Sequence, residues 1–158
     1  IMVKLTTPWI LWYHSLNNKD WSQSSYKKIF TITDLYDFKL LEETIIPMHI
    51  QNSVLFFMRE DIFPTWEDPD NIEGCCISFK LTGSNIKNEF FNILKACISE
   101  NIMKDNNNYK LLNGISISPK KEFNILKIWR RDIITNYNDS MNEVLPFIKN
   151  NVSLIKVN

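Results

Sequence analysis

The alternation of Cys75, Ile77, Phe79 and Leu81 with Cys76, Ser78 and Lys80 restricts the fold more than any other feature of this chain. Side chains on an extended strand point to opposite faces with period 2, so the segment settles where one face meets a core and the other does not. Ile115 and Ile117 alternate in the same way with Ser116 and Ser118. They lead through Pro119-Lys120-Lys121-Glu122 into a further strand over residues 123–129, which predicts a hairpin with a basic tip. In its second arm Leu126 and Ile128 share one face and Ile125, Lys127 and Trp129 the other, so Trp129 is expected to face away from the helices.

One-sided strands need a covering layer. Thr31 and Asp34 form a capping-box-like start to a helix running towards Ile45 and stopped before Pro47, with Ile32, Leu35, Tyr36 and Leu40 as its apolar face. Ser84 is placed to cap a second helix, in which Ile86, Phe90, Leu94 and Cys97 fall on one side and Phe91 and Ile98 broaden it. Ser140 and Glu143 open a last helix that carries Pro146 in its interior. With further strands expected over residues 9–13, 26–30, 53–58 and 152–157, the chain reads as one α+β domain over residues 1–158. Its single curved antiparallel sheet carries about three helices on the convex face and leaves the concave face open.

The 18 basic and 18 acidic side chains cancel, which excludes a general RNA coat and requires any anion site to be local. Cys75, Cys76 and Cys97 have no metal-ligand spacing, and His14 and His49 add no ligand cluster, so neither a metal nor a cofactor is expected. Catalysis is not expected either, because no nucleophile-base pair or Gly-rich phosphate loop is present. No apolar run is long enough to span a bilayer, which predicts a soluble intracellular protein with reduced thiols. The abundance of Asn, Ile and Lys fits an AT-rich coding genome such as that of a protist or a large DNA virus.

Aromatic residues make up 13% of the chain, including 5 Trp, a surplus that suits recognition as well as core. Pro64 and Pro69 keep the Trp66-Glu67 pair out of a helix. An indole face beside a carboxylate suits a flat cationic ring, since the face attracts positive charge and the acid accepts two coplanar hydrogen bonds. Taken alone, such a pair is more often a packed indole beside a solvated acid. Trp21, in the polar stretch of residues 15–25, is either tucked under its loop or offered to a ligand.

The ordered set Trp9-x-x-Trp12, Trp21, Pro64-x-Trp66-Glu67-Asp68-x-x-Asn71-x-x-Gly74, Gly114 and Trp129 resembles eukaryotic translation initiation factor 4E, the mRNA cap-binding family, over nearly the whole chain. The resemblance implies that Trp21 and Trp66 stack on the 7-methylguanine base of capped mRNA and that Glu67 takes the guanine N1 and N2 hydrogens. It places Trp129 at the N7-methyl group and Lys120 and Lys121 at the cap phosphates, with Lys127 or Arg130 as substitutes. It also implies a cytoplasmic protein that binds an initiation factor 4G-like scaffold or a repressor peptide on the convex helical face, here through Ile32, Tyr36, Phe91 and Ile98. The chain departs from the family where Tyr36 stands for its key surface tryptophan and Asn92 for a nearby acid. It also lacks the usual His-Pro before Trp9, and the family's C-terminal loop and final strand are expected to be shortened or absent. A translational repressor that occupies caps without a scaffold, and an interaction module of the same fold without cap binding, are the alternative readings. Trp9 and Trp12 are assigned to the core.

Overall fold

The structure is a computed structural model that describes residues 3–82, 84–144 and 152–157. Its strands are β1 (Lys4–Ser15), β2 (Lys27–Asp34), β3 (Ser53–Arg59), β4 (Cys75–Leu81), β5 (Leu112–Pro119), β6 (Asn124–Arg130) and β7 (Val152–Val157). They form one seven-stranded sheet in the order β2-β1-β3-β5-β6-β4-β7, antiparallel throughout. Among the described residues the α-helices are α1 (Leu35–Thr44), α2 (Pro47–Gln51), α3 (Ile86–Ile98) and the short α4 (Tyr137–Ser140).

The alternation sorts the sheet into two faces. On one, Leu11, Leu55, Phe57, Ile77, Phe79, Ile115, Ile117, Leu126 and Ile128 pack with the helices in one apolar cluster. Helix α1 contributes Phe38 and Leu41 to it, α2 contributes Ile50, and α3 contributes Phe90, Ile93, Leu94 and Cys97. A smaller cluster of Val54, Phe56, Met58, Ile62, Cys76 and Trp129 lies on the opposite face, with Trp12 and Tyr26 against it. Trp129 faces away from the helices, as the period-2 reading requires. The hairpin of β5 and β6 pairs Ser118 with Ile125 and Pro119 with Asn124, and the Lys120 amide closes its tip on the Phe123 carbonyl at 2.8 Å. The three cysteines are buried thiols, and burial pushes those of Cys75 and Cys97 up.

The helical side corrects several expectations. Asp34 caps α1, accepting from the Asp37 amide at 2.9 Å, while the Asp37 carboxylate accepts from the Thr33 amide and hydroxyl. The inward side chains are Phe38 and Leu41, however, and Leu35, Tyr36 and Leu40 are exposed. Tyr36 and Leu40 sit two residues from Phe38 in either direction, roughly 160° round the helix, so burying Phe38 turns them outward. Of the residues assigned to the partner surface, Ile32, Phe91 and Ile98 are core, at 0%, 2% and 1% exposure, and only Tyr36 is accessible. Ile32 lies on the inner side of β2, and Phe91 is held between Phe38 and Phe90 with ring centroids 5.9 and 5.7 Å away. Asn85, rather than Ser84, occupies the N-cap of α3 and makes no side-chain cap bond. The expected last helix does not begin at Ser140, where α4 ends; residues 145–150, with Pro146, lie outside the described residues.

Helix α3 ends in a Schellman-type turn, with the Asn101 amide on the Ala96 carbonyl at 2.8 Å and the Glu100 amide on the Cys97 carbonyl at 3.1 Å. The left-handed position, usually glycine, is Glu100 at φ 61°. An ion pair explains its choice. Arg59, at the end of β3, meets both Glu100 carboxylate oxygens at 2.6 and 2.9 Å and donates to the Leu112 carbonyl at 2.6 Å, with its guanidinium 4.7 Å from the Trp9 ring centre. Glu100→Gly relieves the backbone but strands a buried guanidinium. It is expected to lower stability by about 2–4 kcal/mol, read from urea denaturation midpoints; an unchanged midpoint would remove the ion pair from the account.

Candidate functional site

The open face of the sheet carries a cavity of about 480 Å³. Its floor comes from the strands: Phe56 of β3, Ser116 and Ser118 of β5, and Ile125, Lys127 and Trp129 of β6. Its walls come from two loops, one bringing Trp21 and Tyr26, the other Pro64, Thr65, Trp66 and Glu67. Trp129 is nearly buried at 8% exposure, and its indole N–H donates to the Ser116 hydroxyl at 3.0 Å, which fixes the ring on the floor. Trp21 and Trp66 are half exposed, at 50% and 53%. Trp9 is fully buried and Trp12 packs edge-on to Phe63 at 5.1 Å, so both serve the structure.

The Trp66 loop is a stack of tight turns stapled from below. Asp68 accepts from the amides of Phe63 and Asp70 at 3.0 and 2.9 Å, a local capping that suits a segment interrupted by prolines. Asn71, fully buried, donates to the carbonyls of Phe63 and Thr65 on either side of the Pro64 turn. Asn113 of β5 donates in turn to Asn71 Oδ1 at 2.9 Å and the Asp70 carbonyl at 2.7 Å, while Arg131 pairs with Asp70 at 2.7 Å. Gly74 ends the loop because a Cβ there would stand 1.8 Å from the Arg130 carbonyl oxygen. Gly114 lets β5 approach β3, where a Cβ would meet the Phe57 carbonyl and Met58 Sδ at 2.4 Å.

Glu67 is exposed on the rim and is felt by the other wall: burial first, and then the Glu67 charge, push the Tyr26 phenol above its ordinary value. The basic groups separate. Lys120 and Lys127 line the cavity, whereas Lys121 is exposed outside its lining. Arg130 is buried on the helical side against Asp132 at 2.7 Å and is no substitute. Sequence reasoning missed Tyr26, whose ring meets Phe56, Phe63 and Trp21 with centroids 5.6, 5.1 and 5.9 Å away, and His14, which lies under Trp21. Neither belongs to a motif, and His14 lies just past the strand expected over residues 9–13. Among the described residues no group of His, Cys, Asp or Glu could hold a metal ion, and no helix is long and apolar enough to cross a membrane.

The site therefore offers two half-exposed indoles, a carboxylate beside one of them, a third indole on the floor and two amines. That set suits a flat, cationic, hydrogen-bond-donating ring carrying an anionic tail. With acrylamide as quencher, Trp21→Phe and Trp66→Phe are each expected to remove a large part of the accessible emission, and Trp9→Phe almost none. The opposite ranking would place the wrong indoles at the surface.

The family model described as eukaryotic initiation factor 4E matches residues 4–155. Initiation factor 4E-5 of Caenorhabditis elegans is 26% identical over 145 residues, which cover 83% of this chain and 70% of that protein. Initiation factor 4E of Saccharomyces cerevisiae is 28% identical over 134 residues, covering 80% of this chain and 61% of its own. The Ascaris suum eIF4E-3 structure with m7G cap is similar in fold, with a TM-score of 0.74 and 20% identity over 85% of this chain and 77% of that one. The complex of C. elegans eIF4E-3 with the 4E-binding protein Mextli and a cap analog gives a TM-score of 0.73 and 19% identity over 84% and 76%. With nearly the whole length matched by the family model and the sheet shared with these structures, the chain belongs to the eukaryotic initiation factor 4E family.

Proposed function

We propose that this protein binds the 7-methylguanosine cap of mRNA in the slot on the open face of its sheet and acts in translation initiation. One observation carries the reading: Trp21, the adjacent Trp66 and Glu67, Lys120 and Trp129, from separate segments of the chain, border a single cavity. Methylation at N7 makes guanine cationic. The two exposed indoles then gain a cation–π contribution beyond ordinary stacking, and the Glu67 carboxylate accepts the N1 and N2 hydrogens while opposing the charge. Trp129, fixed by Ser116, offers an apolar edge to the methyl group. Lys120 at the hairpin tip and Lys127 on the floor neutralise the phosphate bridge locally, as a chain without net charge requires. On the other side, Tyr36 and Leu40, one turn apart on α1 and exposed, form the surface for a helical peptide of a scaffold or repressor.

Retention on 7-methylguanosine resin with elution by 7-methyl-GTP, but not GTP, tests the reading; failure to bind would leave a fold without this ligand. Trp21→Ala and Trp66→Ala are each expected to weaken 7-methyl-GTP by about 1–3 kcal/mol in fluorescence titration with the thermal midpoint nearly unchanged. Glu67→Gln should cost about as much for the guanine analogue, and less for the inosine analogue that lacks the exocyclic amine. Equal losses for both analogues would take the base edge away from Glu67.

The phosphate assignment gives a separate expectation. Lys120→Ala with Lys127→Ala should weaken 7-methyl-GTP more than 7-methylguanosine and flatten the salt dependence, while Lys121→Ala should do little. A salt slope that responds to Lys121 and not to Lys127 would restore the hairpin tip as the whole phosphate site.

A further inference from the structure

We propose that His14 is a positioning residue for the slot: its imidazole is a fixed shelf beneath Trp21 that holds the indole in the plane in which it receives the base. The inference rests on the reading of the slot as a cap site. His14 and Trp21 are stacked face to face, with ring centroids 3.6 Å apart and planes within 3° of parallel. The contact is asymmetric, since His14 is fully buried and Trp21 half exposed, so the shelf occupies one side of the indole and leaves the rest to the cavity.

The imidazole lies between two backbone carbonyls. His14 Nδ1 lies 2.9 Å from the Ser15 carbonyl oxygen, and Nε2 lies 2.7 Å from the Asp20 carbonyl oxygen. Carbonyls only accept, so the ring N–H is the donor, and a bond along the plane of the ring helps to fix that plane. Ser15 ends β1 and Asp20 immediately precedes Trp21, so the imidazole spans the loop and fixes the backbone from which the indole projects. Asp20 completes the bracket by accepting from the Ser22 amide at 2.9 Å, just beyond Trp21. Tyr26 meets both rings edge-on, at 5.4 Å and 63° from His14 and at 5.9 Å and 64° from Trp21, which blocks the tilt that would otherwise release the stack.

An unsupported surface tryptophan would have to be ordered when the ligand arrives, and that ordering weakens binding. A shelf orders it beforehand. His14→Ala should therefore weaken 7-methyl-GTP about three- to tenfold, and His14→Phe, which keeps a flat ring under the indole, should recover most of the loss. The decisive measurement is a double-mutant cycle by titration with 7-methyl-GTP. If His14 acts through Trp21, His14→Ala has no further effect on affinity in a Trp21→Ala background, whereas a general structural role costs the same in both. An equal loss in both backgrounds, or a His14→Ala protein that binds like the parent, overturns the proposal.

Because His14 is buried, His14→Ala does not stand alone. Should it melt early, His14→Gln and His14→Phe replace it: the first keeps a donor without a ring, and it must bind more weakly than the second. A parent chain that fails to bind 7-methyl-GTP overturns the cap reading, and the ligand-directed role falls with it. The stack is then read by itself, from an upfield ring-current shift of the His14 ring protons that Trp21→Ala abolishes.

Discussion

The pleat of the central strands is the constraint on which the rest depends, because each residue on the floor of the slot is the immediate neighbour of a core residue. Trp129 follows Ile128, Lys127 lies between Leu126 and Ile128, and Ser116 lies between Ile115 and Ile117; the apolar members of these sets are fully buried beneath the helices. A slip of one residue in the pairing of β5 with β6 would drive Lys127 and Trp129 into the core and expose Leu126 and Ile128. The energy that buries one face therefore sets the positions of the groups on the other. Binding geometry in this protein follows from hydrophobic register.

The two loops above that floor are held by buried polar side chains as well as by apolar contacts such as Phe63 on Trp12. Asn71 and Asn113 do this under the Trp66 turn, and His14 does it under Trp21. In both cases a buried side chain ties itself to backbone carbonyls of the loop, which makes an exposed indole compatible with a fixed position. The loops differ in what they hold. Asn71 fixes a backbone path, while His14 also touches the ring that a ligand would meet.

The helical side follows another logic. Arg59, carried on the core face of β3, closes the end of α3 through Glu100 and passes under Trp9 and Tyr109. Three of the residues first assigned to a partner surface are used up in the core on this side, because a thin layer of helices over a wide sheet needs large apolar side chains in the first row. Tyr36 and Leu40 of α1 stay exposed on this side.

The sequence by itself determined the strand pattern, the basic hairpin, the side on which Trp129 lies and the residues that mark the family, because period-2 alternation and turn chemistry are local and survive without neighbours. The rotational setting of α1 was not legible. Its apolar residues are distributed all round the helix, and only packing against the core, Phe38 on Phe91 included, decides that Phe38 and Leu41 turn inward. Nor could sequence choose between Lys121 at the hairpin tip and Lys127 on the strand, since which amine borders the slot depends on how the tip and the loops sit over the floor. The shelf under Trp21 belongs to the same class: His14 and Trp21 are seven residues apart with a turn between them, and their parallel stacking exists only once the loop has folded back over the first strand. Local pattern fixed which face each strand offers, and long-range packing decided which side chains meet across it.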